Sequence, residues 1–130
     1  MKLKGRKIYR GTISGKTIIT KDAISFYGGI DPDTGIVMEV GHELEGQSVS
    51  GKILVFPTGK GSTVGSYTMY RMKKNNTAPL AIINEKIDTI IAVGCIISEI
   101  PCVDMIDINL LKNEQEIVVN GSEGTVEILD

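Results

Sequence analysis

The sequence of 130 residues has no tryptophan, two phenylalanines, one histidine and two cysteines, and its 14 Lys and Arg are outnumbered by 16 Asp and Glu. Without a basic excess there is no electrostatic grip for a phosphate backbone, which argues against a nucleic-acid partner. Its longest apolar stretch, residues 87–100, is interrupted by Asp88, Gly94, Ser98 and Glu99. That is too short for a bilayer span and reads as core, so no membrane association is expected. Residues 1–7 are charged, but no apolar signal core follows them, which points to a cytoplasmic protein. Cys95 and Cys102 lie in apolar sequence at no common zinc or redox spacing and read as buried thiols. His42, followed by Glu43 and Glu45, is too sparse for a metal site and reads as a surface histidine.

What is present is an ordinary globular composition, 42% hydrophobic and 23% charged, of a length that predicts one domain over residues 1–130. The stretches 6–13 and 16–20 read as two strands joined by a tight hairpin at Ser14-Gly15. Residues 24–35, dense in Gly, Pro and Asp, form a shaped loop, followed by a short strand over 36–40. The apolar runs 52–56, 79–84 and 89–94 read as buried strands, with a helical turn at 95–99 and an extended piece over 100–104. Residues 116–119 and 125–129 flank a Gly-rich hairpin loop. Only residues 64–74 read as a clear helix, and its Val64, Tyr67, Met69, Tyr70 and Met72 fall on no single face, which predicts burial on more than one side. The sum is a mixed α/β domain, β-dominated and barrel-like or layered, with few helices.

The chain is organised around residues 56–67, where an apolar strand ends at Pro57 and a Gly59-Lys60-Gly61 turn leads through Ser62 and Thr63 into the helix. Backbone N–H groups at such a place face outward. The turn is not a Walker A loop, because Leu54 stands where its first glycine would be and Gly61 follows the lysine. Ser62 reads either as a plain N-cap or as an active hydroxyl whose alkoxide the helix dipole and free amides would stabilise. No histidine lies near enough in sequence to suggest acyl transfer, so proton abstraction is the favoured chemistry. The Gly28-Gly29 and Asp31-Pro32-Asp33 loop reads either as turn chemistry or as a backbone platform that a ligand can approach closely.

Residues 26–35, 59–67, 78–83 and 94–104, in that order, resemble the small subunits of aconitase X-type enzymes, most of all those of the archaeal phosphomevalonate-dehydrating branch. The resemblance implies a swivelling β/β/α domain encoded apart from its large subunit. It carries the aconitase Gly-x-Gly-Ser turn onto Gly59-Lys60-Gly61-Ser62 and makes Ser62 the proton acceptor, with Lys60, Gly61, Thr63, Gly28 and Gly29 as candidate substrate contacts. The aconitase turn continues Ser-Arg; Thr63-Val64 stands here, so the carboxylate-binding arginine is missing. The implied [4Fe-4S] cluster, Lewis acid for the leaving hydroxyl, belongs to the large subunit, since two thiols cannot hold it. The implied reaction dehydrates (R)-5-phosphomevalonate, a phosphorylated hydroxy acid, to trans-anhydromevalonate 5-phosphate. Three rivals remain at this point: another hydro-lyase of the family such as a hydroxyproline dehydratase, a swivelling phosphohistidine carrier, and a non-catalytic interaction domain.

Overall fold

The computed structural model describes residues 1–129. Eight strands form one sheet in the order β1-β8-β7-β3-β4-β5-β6-β2. Its two ends, β1 (Lys2–Lys4) and β2 (Arg6–Tyr9), are separated in sequence by Gly5 alone. One short stretch of chain therefore caps both edges and rolls the sheet into a barrel-like unit. Gly5 donates its N–H to the Gly124 carbonyl at 2.7 Å. A β-carbon on Gly5 would run into the Asp104 carbonyl oxygen, so the closure needs glycine.

The strand β3 (Thr12–Ile19) bridges two halves, pairing antiparallel with β7 (Glu116–Asn120) through its first part and parallel with β4 (Ile53–Phe56) through its last. The expected hairpin at Ser14-Gly15 does not form. Gly15 stays in the ladder opposite Ile117, and its missing side chain makes room for Leu80, whose Cδ1 lies 3.0 Å from where a β-carbon would sit. Parallel pairing continues through β5 (Ala81–Asn84) and β6 (Cys102–Asp104), and β7 with β8 (Thr125–Ile128) makes the expected hairpin.

All four residues of β4 are buried because both faces of the sheet are covered. Ile53 and Val55 join Ala81, Ile83, Val103, Ile117, Val119 and Val126 in one core, inside the curve of the sheet. Leu54 and Phe56 point the other way, into a second core with Ile82, Met69, Met72, Ile91 and Phe26 under two helices. These are α1 (Gly65–Lys74) and α2 (Thr89–Ser98). The expected strand over 89–94 is thus the first half of a helix, and the turn expected at 95–99 is its end. A short run of Ile, Val and Ala fits a buried strand or a buried helix equally well. Asp88 decides it, as its carboxylate accepts the Ile90 N–H at 3.1 Å and caps the helix.

The helices touch where Gly94 meets Met69; a β-carbon on Gly94 would overlap the Met69 thioether. On α1 the buried residues are Gly65, Ser66, Thr68, Met69 and Met72, while Tyr67 is 70% exposed. Positions 65, 68, 69 and 72 form one stripe, and the buried Ser66 lies to one side of it. The stripe was hidden because half of it is glycine and threonine. Residues 36–40 form no strand, only isolated bridges from Val37 to Ile30 and from Ile36 to Ser48. No helix is long and apolar enough to cross a membrane among the described residues.

Candidate active site

The turn at 57–64 leaves the carboxyl end of β4, beside the carboxyl ends of the parallel strands β3 and β5, where open parallel sheets commonly bind ligands. Three contacts fix its shape. Ile24 donates to the Thr58 carbonyl and accepts from the Lys60 N–H, at 3.2 and 3.0 Å. The Gly59 N–H donates to Asp88 Oδ1 at 3.0 Å, and a β-carbon on Gly59 would come within 2.6 Å of that oxygen and of Ile91. Gly61 has φ +89°, a conformation that favours glycine, and it lies flat against Ser25.

Ser62 is exposed at the top of this turn. It is not the N-cap residue of α1: that position is Val64, which makes no side-chain cap. Ser62 Oγ instead accepts the Val64 N–H at 3.1 Å, and the Ser62 carbonyl accepts from Gly65 at 2.9 Å. Its own O–H has no protein acceptor among the described residues, nor do the N–H groups of Gly61, Ser62 and Thr63. Unpaired amides and the amino end of α1 place positive potential at the hydroxyl, and that potential favours an alkoxide there.

Gly28 comes to the same place exposed, while Gly29 beside it is buried and its carbonyl accepts the Met38 N–H at 2.8 Å. The loop that holds them touches the turn twice: at Ser25 against Gly61, and at Tyr27, whose nitrogen lies 3.6 Å from where a Gly65 β-carbon would be. Gly28 has φ +80° and open space around it. Lys60 carries the nearest charge in sequence, and its Nζ pairs with Glu39 Oε2 at 2.7 Å. Thr63 is exposed beside Ser62 and borders a groove of about 360 Å³ with Val64, Tyr67, Ile90 and Val93. A second groove of about 310 Å³ lies on the other side of Val64 and Tyr67, bordered by Tyr27, Gly28 and Met38.

Asp31 and Asp33 are engaged in the loop itself. Asp31 Oδ1 accepts the Asp33 N–H at 2.9 Å, and Asp33 Oδ1 accepts from Arg71 Nη2 at 3.1 Å, tying the loop to α1. His42 is buried rather than on the surface, a correction to the sequence reading. Its Nδ1 accepts the Leu44 N–H and its Nε2 donates to the Ala23 carbonyl, both at 3.0 Å. With both nitrogens engaged inside the fold, it is unsuited to carry a phosphoryl group. Cys95 and Cys102 are both buried. Hydrogen bonding to Cys95, then burial, push the Cys102 thiol well up, so it stays protonated. Two such thiols do not fit a four-iron cluster, and among the described residues no group of three His, Cys, Asp or Glu side chains could hold a metal ion. The reading of the sequence missed Asp88, although an acidic residue just before a helix is a recognisable signal once that run is read as helical.

A family model described as the aconitase X swivel domain matches residues 2–128. The chain belongs to that family. It is 56% identical to the phosphomevalonate dehydratase small subunit of Methanosarcina mazei, over 99% of this chain and 92% of that one. It is 54% identical to the protein of the same name from Thermococcus kodakarensis, over 100% and 98%. The crystal structure of Thermococcus kodakaraensis aconitase X in its holo-form superposes with a TM-score of 0.98 at 53% identity, covering 100% of this chain and 99% of that one. The barrel-like sheet and its paired helices are thus the aconitase X swivel fold, and the Gly59–Thr63 turn is part of it.

Proposed function

We propose that this chain is the small subunit of a phosphomevalonate dehydratase, a cytoplasmic hydro-lyase active only with its large subunit, and that residues 1–130 act as one swivelling domain. The relatives' shared name and near-complete coverage support the assignment. The observation that carries the chemistry is Ser62, an exposed hydroxyl among three unpaired amides at the amino end of a helix. Ser62 accepts the proton that leaves substrate carbon, and the amides of Gly61, Ser62 and Thr63 stabilise the alkoxide form that does so. Gly28 leaves backbone accessible at the substrate's edge, the buried Gly29 shapes the loop beside it, and Lys60, released from Glu39, meets an anionic group of the substrate. The [4Fe-4S] cluster of the family resides in the large subunit and supplies Lewis acidity when bound.

The test is reconstitution with the large subunit and assay on (R)-5-phosphomevalonate. Turnover by the pair and none by either chain alone is the expected result. Turnover of hydroxyproline in place of phosphomevalonate would move the chain to another branch of the family. Full turnover by a Ser62→Ala pair would make the chain a non-catalytic interaction subunit.

A further inference from the structure

Residues 59–66 form an arch with Ser62 near its middle, and both feet of the arch stand on the first turn of α2. At one foot the Gly59 N–H donates to Asp88 Oδ1 at 3.0 Å; at the other, Ser66 Oγ donates to the Ile90 carbonyl at 2.6 Å. The same Asp88 carboxylate caps α2 through its other oxygen, which accepts the Ile90 N–H at 3.1 Å. The feet fit closely, since a β-carbon would meet Asp88 and Ile91 at Gly59 and would lie 3.3 Å from Ile90 Cγ2 at Gly65. Within the arch itself, Ser62 is held by local turn bonds alone, from Val64 to its Oγ and from Gly65 to its carbonyl. The position of Oγ relative to the sheet is therefore set from outside, by the loop at Ile24 and Ser25 and by α2.

We propose that Asp88 and Ser66 are positioning residues for Ser62, clamping its arch to α2 so that the hydroxyl meets the carbon proton at a fixed distance. The inference rests on the catalytic reading of Ser62. Both act through Ser62, and no proton passes through either. A general base displaced by about 1 Å loses roughly a hundredfold in rate, so a loosened foot has a large effect with little change in substrate binding.

The experiment measures kcat and KM of the reconstituted pair for Asp88→Ala, Ser66→Ala and Ser62→Ala. Asp107→Ala serves as a control: Asp107 caps the short 3-10 helix Ile108–Leu110, accepting the Asn109 N–H at 3.0 Å, on the side of the other core. We expect kcat to fall about 10- to 100-fold in Asp88→Ala and in Ser66→Ala, with KM within about threefold of wild type. Asp107→Ala loses a cap of the same kind and should keep full kcat. If Asp88→Ala and Ser66→Ala turn over at the wild-type rate while Ser62→Ala is inactive, the clamp is refuted and the role of Ser62 stands. If Asp107→Ala loses as much activity as Asp88→Ala, the effect is general destabilisation and the clamp is also refuted. If Ser62→Ala keeps full activity, the catalytic reading falls, and the clamp falls with it.

Discussion

At the scale of single residues, the chemistry rests on one side chain and on the amides around it. Replacing Ser62 with alanine should leave the fold and assembly intact and lower kcat by about 10²- to 10⁴-fold, the contribution of a positioned base, as steady-state kinetics of the reconstituted pair would show. Gly61 carries a different burden. Gly61→Val puts a branched side chain at φ +89° against Ser25 and should lower both melting temperature and rate. Glu43 gives a pH-dependent signature away from the site. The Thr20 hydroxyl, at 2.6 Å, and the Lys21 amide hold its carboxylate below its ordinary value of 4.5. A folded-state value below the unfolded one means the stabilisation is complete above that ordinary value and disappears as pH falls through the folded value. Glu43→Gln should therefore melt earlier than wild type at neutral pH, and the gap should narrow as pH falls below 4.5 in thermal scans.

Among elements, α2 shows where the sequence is legible and where it is not. Strands β4, β5 and β6, the β7–β8 hairpin and helix α1 can be read from apolar runs and breakers, and so can the turn that carries Ser62, because Pro57, Gly59 and Gly61 leave the chain little choice. Residues 89–94 mislead because β-branched side chains on a fully covered helix look like a strand; only Asp88 signals the difference, and it does so through a hydrogen bond. Gly15 misleads in the opposite direction, as a glycine beside serine suggests a turn where it makes space for Leu80. His42 looks exposed beside two glutamates, yet its ring is held inside between the Leu44 N–H and the Ala23 carbonyl, and the second partner is too remote in sequence to show in local pattern. In each case a tertiary contact overrides local preference. The end of α2 offers a test. Glu99 closes the helix in the left-handed region at φ 55°, with its N–H on the Cys95 and Ile96 carbonyls. Glycine adopts that conformation without penalty, so Glu99→Gly should stabilise the protein by about 1 kcal/mol, a rise of about 3 °C in melting temperature.

For the whole molecule, the decisive feature is the closure at Gly5. Arg6 and Asp104 lock it: Nε and Nη2 reach the two carboxylate oxygens at 2.9 and 2.7 Å, and the Ile87 N–H adds a third bond to the buried Asp104. The carboxylate pushes the Arg6 guanidinium above its already high value, so Arg6 stays charged at any ordinary pH. Gly5→Ala would force a methyl group onto a backbone carbonyl that has nowhere to move. It should cost on the order of 3 kcal/mol, visible as a lower urea midpoint. Arg6→Ala should also lower that midpoint, because it leaves a buried carboxylate with a single donor.

The closure also dictates the order of assembly. Residues 2–4 pair with 125–127 and residues 6–9 with 102–104, so on the ribosome residues 2–9 wait without partners until those distant segments have been added. The barrel can close only then, at the slow pace of distant pairings. In the cell, the nascent protein spends that interval with two sheet edges uncovered.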